Sequence, residues 1–236
     1  MKRLLVHVEG GSEEAFVNKL LCPHLVAHGV LASARLLGHR RERSRRGGIV
    51  GWPKARGDLL RHLKKDHRLH VTTIVDYYGL PQSGKGAWPG RRQAASAPFP
   101  DRADFVEEAL RQDVDEAMGS DFVSSRFVPF VMMHEFEALL FSDCQAFANA
   151  IGRPALATRF QAIRDQFSSP EEINDSQTTA PSKRLAALLP GYSKTRRAEL
   201  AALAVGLDAM RSECPHFRSW LESLEGLSSG VTNPSQ

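Results

Sequence analysis

Residues 70–75 (His-Val-Thr-Thr-Ile-Val) form an unbroken, β-branched run that stops at an acid, Asp76. A strand with one wet face alternates apolar and polar residues; a run with no polar face is covered on both sides, as in a parallel sheet. Parallel neighbours need crossovers, usually helices. The rest of the chain provides both. Arg3-Leu-Leu-Val-His-Val8 is a short buried strand that stops at Glu9-Gly10-Gly11. Ser12 is expected to cap a helix with Glu13 and Glu14 in its first turn and Phe16, Val17, Leu20, Leu21 and Leu25 along one face. Residues 30–37 read as a second strand, 54–66 as a basic amphipathic helix, 101–118 as another helix, and 127–133 as a strand running into a helix start at His134. This alternation predicts an α/β fold, a mostly parallel sheet flanked by helices.

From residue 143 the pattern is helical only, over 143–150, 154–167, 182–189, 194–206 and 215–225. The organisation expected is an α/β domain over 1–142, a helical region over 143–226 that completes or packs on it, and a disordered tail over 227–236. Residues 39–51, rich in Arg, Gly and Ser, read as a loop. So do residues 79–100, punctuated by Gly79, Pro81, Gly84, Gly86, Pro89, Gly90, Pro98 and Pro100. Long loops in compact domains are usually functional.

Charge is placed unevenly. Residues 35–68 hold twelve Lys or Arg against three acids, while the whole chain carries a net charge of only +4. A local positive patch suits a protein that meets a polyanion at one place. Arg40, Arg41, Arg43, Arg45 and Arg46 in the loop, with Lys54 and Arg56 on the helix after it, are the candidates for contact with a phosphate backbone. No apolar run approaches the roughly 20 residues needed to span a bilayer, and the start is too polar for a signal peptide. Three widely spaced cysteines (Cys22, Cys144, Cys214) fit reduced thiols and a cytoplasmic setting.

In open α/β sheets, ligands bind beyond the carboxyl ends of the strands. Three strand ends deliver acids there: Glu9, Asp76, and Glu135 with Glu137. Taken singly, each has a plain structural role as a turn residue or cap. Gathered, they repel one another by about a few kcal/mol per pair at an effective dielectric of ~20. A hard divalent cation with oxygen ligands, Mg²⁺ or Mn²⁺, is the usual remedy, and the set has room for one ion or two. On an α-helix from His134, positions 135 and 137 point about 200° apart, so one should face the site. The core stripe of Phe136, Leu139 and Leu140 favours Glu137. Lys183 and Arg184, at a helix start capped by Ser182, are placed to grip a phosphate with the backbone amides of that end. Glu171, Glu172 and Asn174 either orient Lys183 or cap helices.

Other features carry less. His24 and His28 have metal spacing but no third ligand nearby in sequence. Cys214-Pro-His216 has no partner pair for zinc, and Gly84-Lys85-Gly86 lacks the rest of a P-loop. Trp52 and Trp88 either stack on bases or lid the core.

Val8-Glu-Gly-Gly-Ser-Glu-Glu14 before an apolar helix resembles the opening motif of the Toprim fold, found in topoisomerases, bacterial primases and the overcoming-lysogenization-defect (OLD) nucleases. With Asp76-Tyr-Tyr-Gly-Leu-Pro81, His134-Glu-Phe-Glu-Ala-Leu-Leu-Phe-Ser-Asp143, Ser169-Pro-Glu-Glu-Ile-Asn174 and Ala180-Pro-Ser-Lys-Arg-Leu185, the chain resembles a bacterial Toprim-like family often encoded beside ABC-type or AAA-type ATPases. The resemblance runs from residue 3 to about 225. It implies general acid/base work for Glu9 and metal binding for Asp76. Glu13 and Lys183 join Glu9 as catalytic candidates. Glu9, Asp76, Glu137 and Glu135 are the candidate metal ligands. The second Asp of the family's Asp-x-Asp signature is replaced by Tyr78. The activity implied is Mg²⁺-dependent cleavage of DNA or RNA in an ATPase-linked defence or DNA-processing system. The alternative is a non-catalytic partner subunit of such an ATPase.

Overall fold

A computed structural model of the chain describes residues 1–38, 48–99, 101–173, 179–188 and 194–228, with the side chains of 194–196 excepted. Strand β1 (Lys2–Val8) lies between β2 (Val30–Leu36) and β3 (Leu69–Asp76), parallel to both, with Val8 beside Leu36 and Ile74. Beyond β3 come two short parallel segments, β4 (Phe127–Val128) and β5 (Val131–Met132). The strand expected over 127–133 is therefore interrupted, at Pro129 and Phe130. Pro129 has no N–H for the ladder. The Thr73 hydroxyl fills the gap, donating to the Phe130 carbonyl and accepting its N–H at 3.1 and 3.0 Å. The register does not slip, since Val71 pairs with Phe127 and Val75 with Val131.

The sheet has a core on each face. Leu4, Val6, Val8 and Ile74 point into one, and Val71, Val75, Phe127 and Val131 into the other. Burying each such side chain contributes roughly 1.5–3 kcal/mol. The second face is covered by α3 (Trp52–Lys65), the single-turn α4 (Arg91–Ala94) and α5 (Asp101–Met118). Gly90 precedes α4 with φ +73°, and a Cβ there would stand 2.5 Å from the Phe105 carbonyl oxygen. Only glycine fits that approach of α4 to α5.

The first face is covered from both ends of the sequence. The helix expected from Ser12 begins at Gly11 after Gly10, without a side-chain cap, and runs as α1 (Gly11–Phe16), a π-helical stretch (Val17–Leu21) and α2 (Cys22–Ala27). Pro23 has no N–H for the preceding turn, and the wide turn sits just before it. The later helices are α6 (Cys144–Ala150), α7 (Ala157–Arg164), α8 (Pro181–Leu188), α9 (Lys194–Glu213, kinked at Gly206) and α10 (Pro215–Glu225). Phe147, Phe160, Phe217 and Leu221 from these helices join Leu4, Val6 and Val8 in one cluster. Trp220 stacks on Phe130 at 4.4 Å, and its indole N–H donates to the Thr72 hydroxyl at 2.9 Å. The C-terminal helices thus complete the sheet's core. Of the expected tail, residues 229–236 lie outside the described residues.

Candidate functional site

Because β1, β3 and β5 are adjacent and parallel, their carboxyl ends open on one edge. Glu9 follows Val8, Asp76 ends β3, and Glu135 and Glu137 follow β5. The first turn of α1 brings Glu13 to the same edge, buried. The Asp76 amide donates to Glu9 Oε2 at 3.3 Å, and Asp76 Oδ1 accepts the Phe136 amide at 3.0 Å. Gly79 lies against Glu9, where a Cβ would stand 3.6 Å from both carboxylate oxygens. Burial, followed by the charges of Glu9, Glu13, Glu137 and Glu135, pushes the Asp76 carboxyl well above the usual carboxylate range. All five acids therefore share one electrostatic neighbourhood. An all-oxygen donor set crowded around one carboxyl has the donor chemistry that a hard dication such as Mg²⁺ or Mn²⁺ takes.

The expectation that Glu135 and Glu137 face apart does not hold. The segment after His134 is not an α-helix: Glu135 is extended, and Phe136–Ser142 is a 3₁₀ helix. A 100° step per residue has no application across that junction. Both side chains are buried, and both act on Asp76. Glu135 also has a partner 47 residues away, accepting from the Ser182 amide at 2.8 Å and the Ser182 hydroxyl at 2.9 Å. No sequence spacing announces that pairing.

The same contact changes the reading of α8. Ser182 is the second residue of the helix, and its hydroxyl serves Glu135. The Lys183 and Arg184 amides both donate to the Ala180 carbonyl, so these N–H groups are spent within the turn and do not form an anion cradle. Arg184 donates through Nε to the Thr179 carbonyl and lies over the Phe167 ring. Lys183 is exposed, next in sequence to a residue bonded to the cluster. Glu171 does not orient it; it caps α10, accepting the His216 and Phe217 amides at 3.0 and 2.9 Å. Asn174 lies outside the described residues.

Arg40, Arg41, Arg43, Arg45 and Arg46 also lie outside the described residues. Their described flanks are at the acidic edge: the Leu37 amide donates to the Val8 carbonyl, and Ile49 packs 3.7 Å from the Cβ position of Gly79, beside Glu9. Lys54 is exposed on the first turn of α3, and Arg56 pairs with Asp113 of α5. Trp52 and Trp88 are buried against each other, their rings 5.0 Å apart, so they lid the core and offer no stacking platform. Arg91 is a site-side residue that sequence reading missed. It is buried over the Tyr77 ring at 3.7 Å and donates to the Tyr77 carbonyl, next to Asp76. Nothing in its loop sequence distinguishes it from Arg92.

Fold and edge together define an α/β protein with a carboxylate cluster at the ends of three parallel strands. The family described as a domain of unknown function (DUF4276) matches residues 8–225, and the chain belongs to it. No curated protein matches the sequence. The C-terminal region of the OLD protein of Xanthomonas campestris pv. campestris is similar in structure at a TM-score of 0.41 and 15% identity, over 97% of both chains. A likeness that distant carries nothing about activity. Among the described residues, no helix is long and apolar enough to cross a membrane.

Proposed function

We propose that this chain is a divalent-metal-dependent nuclease that hydrolyses phosphodiester bonds of DNA or RNA. The observation that carries the reading is the Asp76 carboxyl, held among four other acids at the ligand-binding edge of a parallel sheet. Charge crowding of that kind destabilises a fold unless something answers it. Asp76 and Glu137, with Glu135 and Glu13, are the residues to hold Mg²⁺ or Mn²⁺. Bound there, the metal supplies a more acidic water and neutralises charge on the phosphate.

The chain's own contribution is positional. Glu9 takes the proton of the attacking water at its carboxylate, with Glu13 as its neighbour in the first turn of α1. Water oxygen bonds to phosphorus, the P–O bond to the leaving oxygen breaks, that oxygen takes a proton from solvent water, and Glu9 returns its proton to solvent. Lys183 places a point charge for a phosphate oxygen beside Ser182 and Glu135. The Arg40–Arg46 run, whose flanks stand at this edge, brings the backbone of the nucleic acid to the cluster. The resemblance to Toprim-like proteins encoded beside ABC-type or AAA-type ATPases supports reading the activity as part of an ATPase-linked bacterial defence or DNA-processing system.

The test is cleavage of single- and double-stranded DNA and RNA by the purified chain, in Mg²⁺ or Mn²⁺ against EDTA. Cleavage that needs metal and falls to background in Asp76→Asn supports the reading; Glu9→Gln should lose about 10²–10⁴-fold, the scale of general acid–base catalysis. A metal-bound wild type with no cleavage of any of the four substrates makes the chain the non-catalytic partner of an ATPase, as Tyr78 in place of the second Asp suggests. Nucleic-acid affinity on duplex DNA should fall with salt at a log–log slope of about −4 to −5 if some five phosphates are neutralised. Replacing the five loop arginines by Ser should flatten it.

A further inference from the structure

His24 and His28 stand one turn apart at the end of α2, which puts both imidazoles on one face. The fold brings them a third ligand from the other end of the chain. Glu225, the last residue of α10, has one carboxylate oxygen, Oε1, at 2.7 Å from His24 Nε2 and 3.9 Å from His28 Nε2. One ligand atom from each residue lies within 4.8 Å of the other two. Ligands bound tetrahedrally at about 2.0–2.1 Å from zinc stand ~3.3 Å apart, so small rotamer shifts suffice.

The site is open to an ion, since the side chains of His24, His28 and Glu225 are 26%, 39% and 12% exposed. It also has an outer partner. Arg211 donates Nη1 to Glu225 Oε1 at 2.9 Å and Nη2 to Oε2 at 3.0 Å, fixing the carboxylate plane. The same guanidinium reaches Glu222 at 3.3 Å, so it keeps an acid beside it when Glu225 turns to a cation.

We propose that His24, His28 and Glu225 form a transition-metal site for Zn²⁺ or a similar borderline ion, with water at the fourth position. Two imidazoles and one carboxylate select such ions over Mg²⁺, which prefers oxygen alone. The site is thus chemically distinct from the carboxylate cluster and stands whether or not that cluster cleaves nucleic acid. It joins α2 to α10, elements from opposite ends of the described chain. The unfolded chain has no preformed site, so metal bound here stabilises the fold.

The experiment is a calorimetric zinc titration of the full chain in constant millimolar Mg²⁺, which competes with zinc at the carboxylate cluster, with thermal melts of the same samples. The wild type should bind one further equivalent of Zn²⁺ and melt several degrees higher with it. His28→Ala keeps the His24–Glu225 hydrogen bond and so keeps the metal-free melting temperature. It should bind zinc at least about tenfold more weakly, a loss of one ligand. Glu225→Gln should lose binding in the same way. Zinc affinity unchanged in His28→Ala, or no zinc bound by the wild type, overturns the site and leaves the three residues as an ordinary surface ion pair.

Discussion

Asp76 accepts the Phe136 amide through Oδ1 while burial and four carboxylates hold its own carboxyl toward the protonated form. Asn keeps the acceptor and removes the charge. A carboxyl raised in the fold favours the folded state at pH values below its ordinary range and works against it as pH rises. In EDTA, Asp76→Asn should therefore melt a few degrees above wild type at pH 7 to 8, with the gap closing toward pH 4. Mg²⁺ should close it at neutral pH by stabilising the wild type alone. Differential scanning calorimetry across pH measures this. His7 behaves oppositely. Burial, then the His62 charge, lowers its imidazole to about 3, and neither ring nitrogen has a hydrogen-bond partner among the described residues. The unfolded chain binds a proton near the ordinary His value of 6.5 that the fold refuses. Stability is thus complete above that pH and declines below it, by up to about 1.4 kcal/mol per pH unit down to pH 3. His7→Leu should blunt the acid-side loss in urea melts at pH 4 to 6. The meeting of Glu9 and Asp76 at one edge was legible because strand ends in a parallel sheet share an edge. Glu135, Ser182 and Arg91 were legible only in part or not at all, because their contacts join distant segments.

At the scale of elements, chain chemistry decided most boundaries, and tertiary contacts the exceptions. The β-branched run 70–75 became the buried strand that its composition requires. The segment after His134 departed from its helical periodicity because Glu135 is held extended, bonded to Ser182, before the 3₁₀ turn begins. Helix α10 shows the same control from afar. It has no capping side chain of its own, and Glu171 serves instead, buried and bonded to two first-turn amides. Glu171→Ala leaves those donors buried and unpaired, which costs about 1–3 kcal/mol. For a domain of this size that lowers the melting temperature by roughly 2–4 °C per kcal/mol. A loss much smaller than this, measured by calorimetry at neutral pH, would show that water replaces the cap. Capping was one of the two roles that the Ser169–Asn174 segment offered in sequence, but that Glu171 serves a helix 45 residues on was not readable there.

Charge is distributed unevenly over the whole molecule. The basic segment enters and leaves the described structure at the edge where five acids gather. Strands and helices that the sequence assigned to two regions share one core, through Trp220, Phe217 and the strands they cover. The strands that carry Glu9, Asp76 and the Glu135–Glu137 segment are packed on both faces of the sheet. The cation we propose for this edge would answer the crowding of its carboxylates. Calorimetric titration of Mn²⁺ into the wild type, Asp76→Asn, Glu137→Gln and Glu135→Gln tests that proposal most directly. Wild type should give a saturable heat, Asp76→Asn should lose it, and both glutamine variants should bind more weakly, since both glutamates act on Asp76. Equal Mn²⁺ affinity in wild type and Asp76→Asn, or no binding by either, would contradict it.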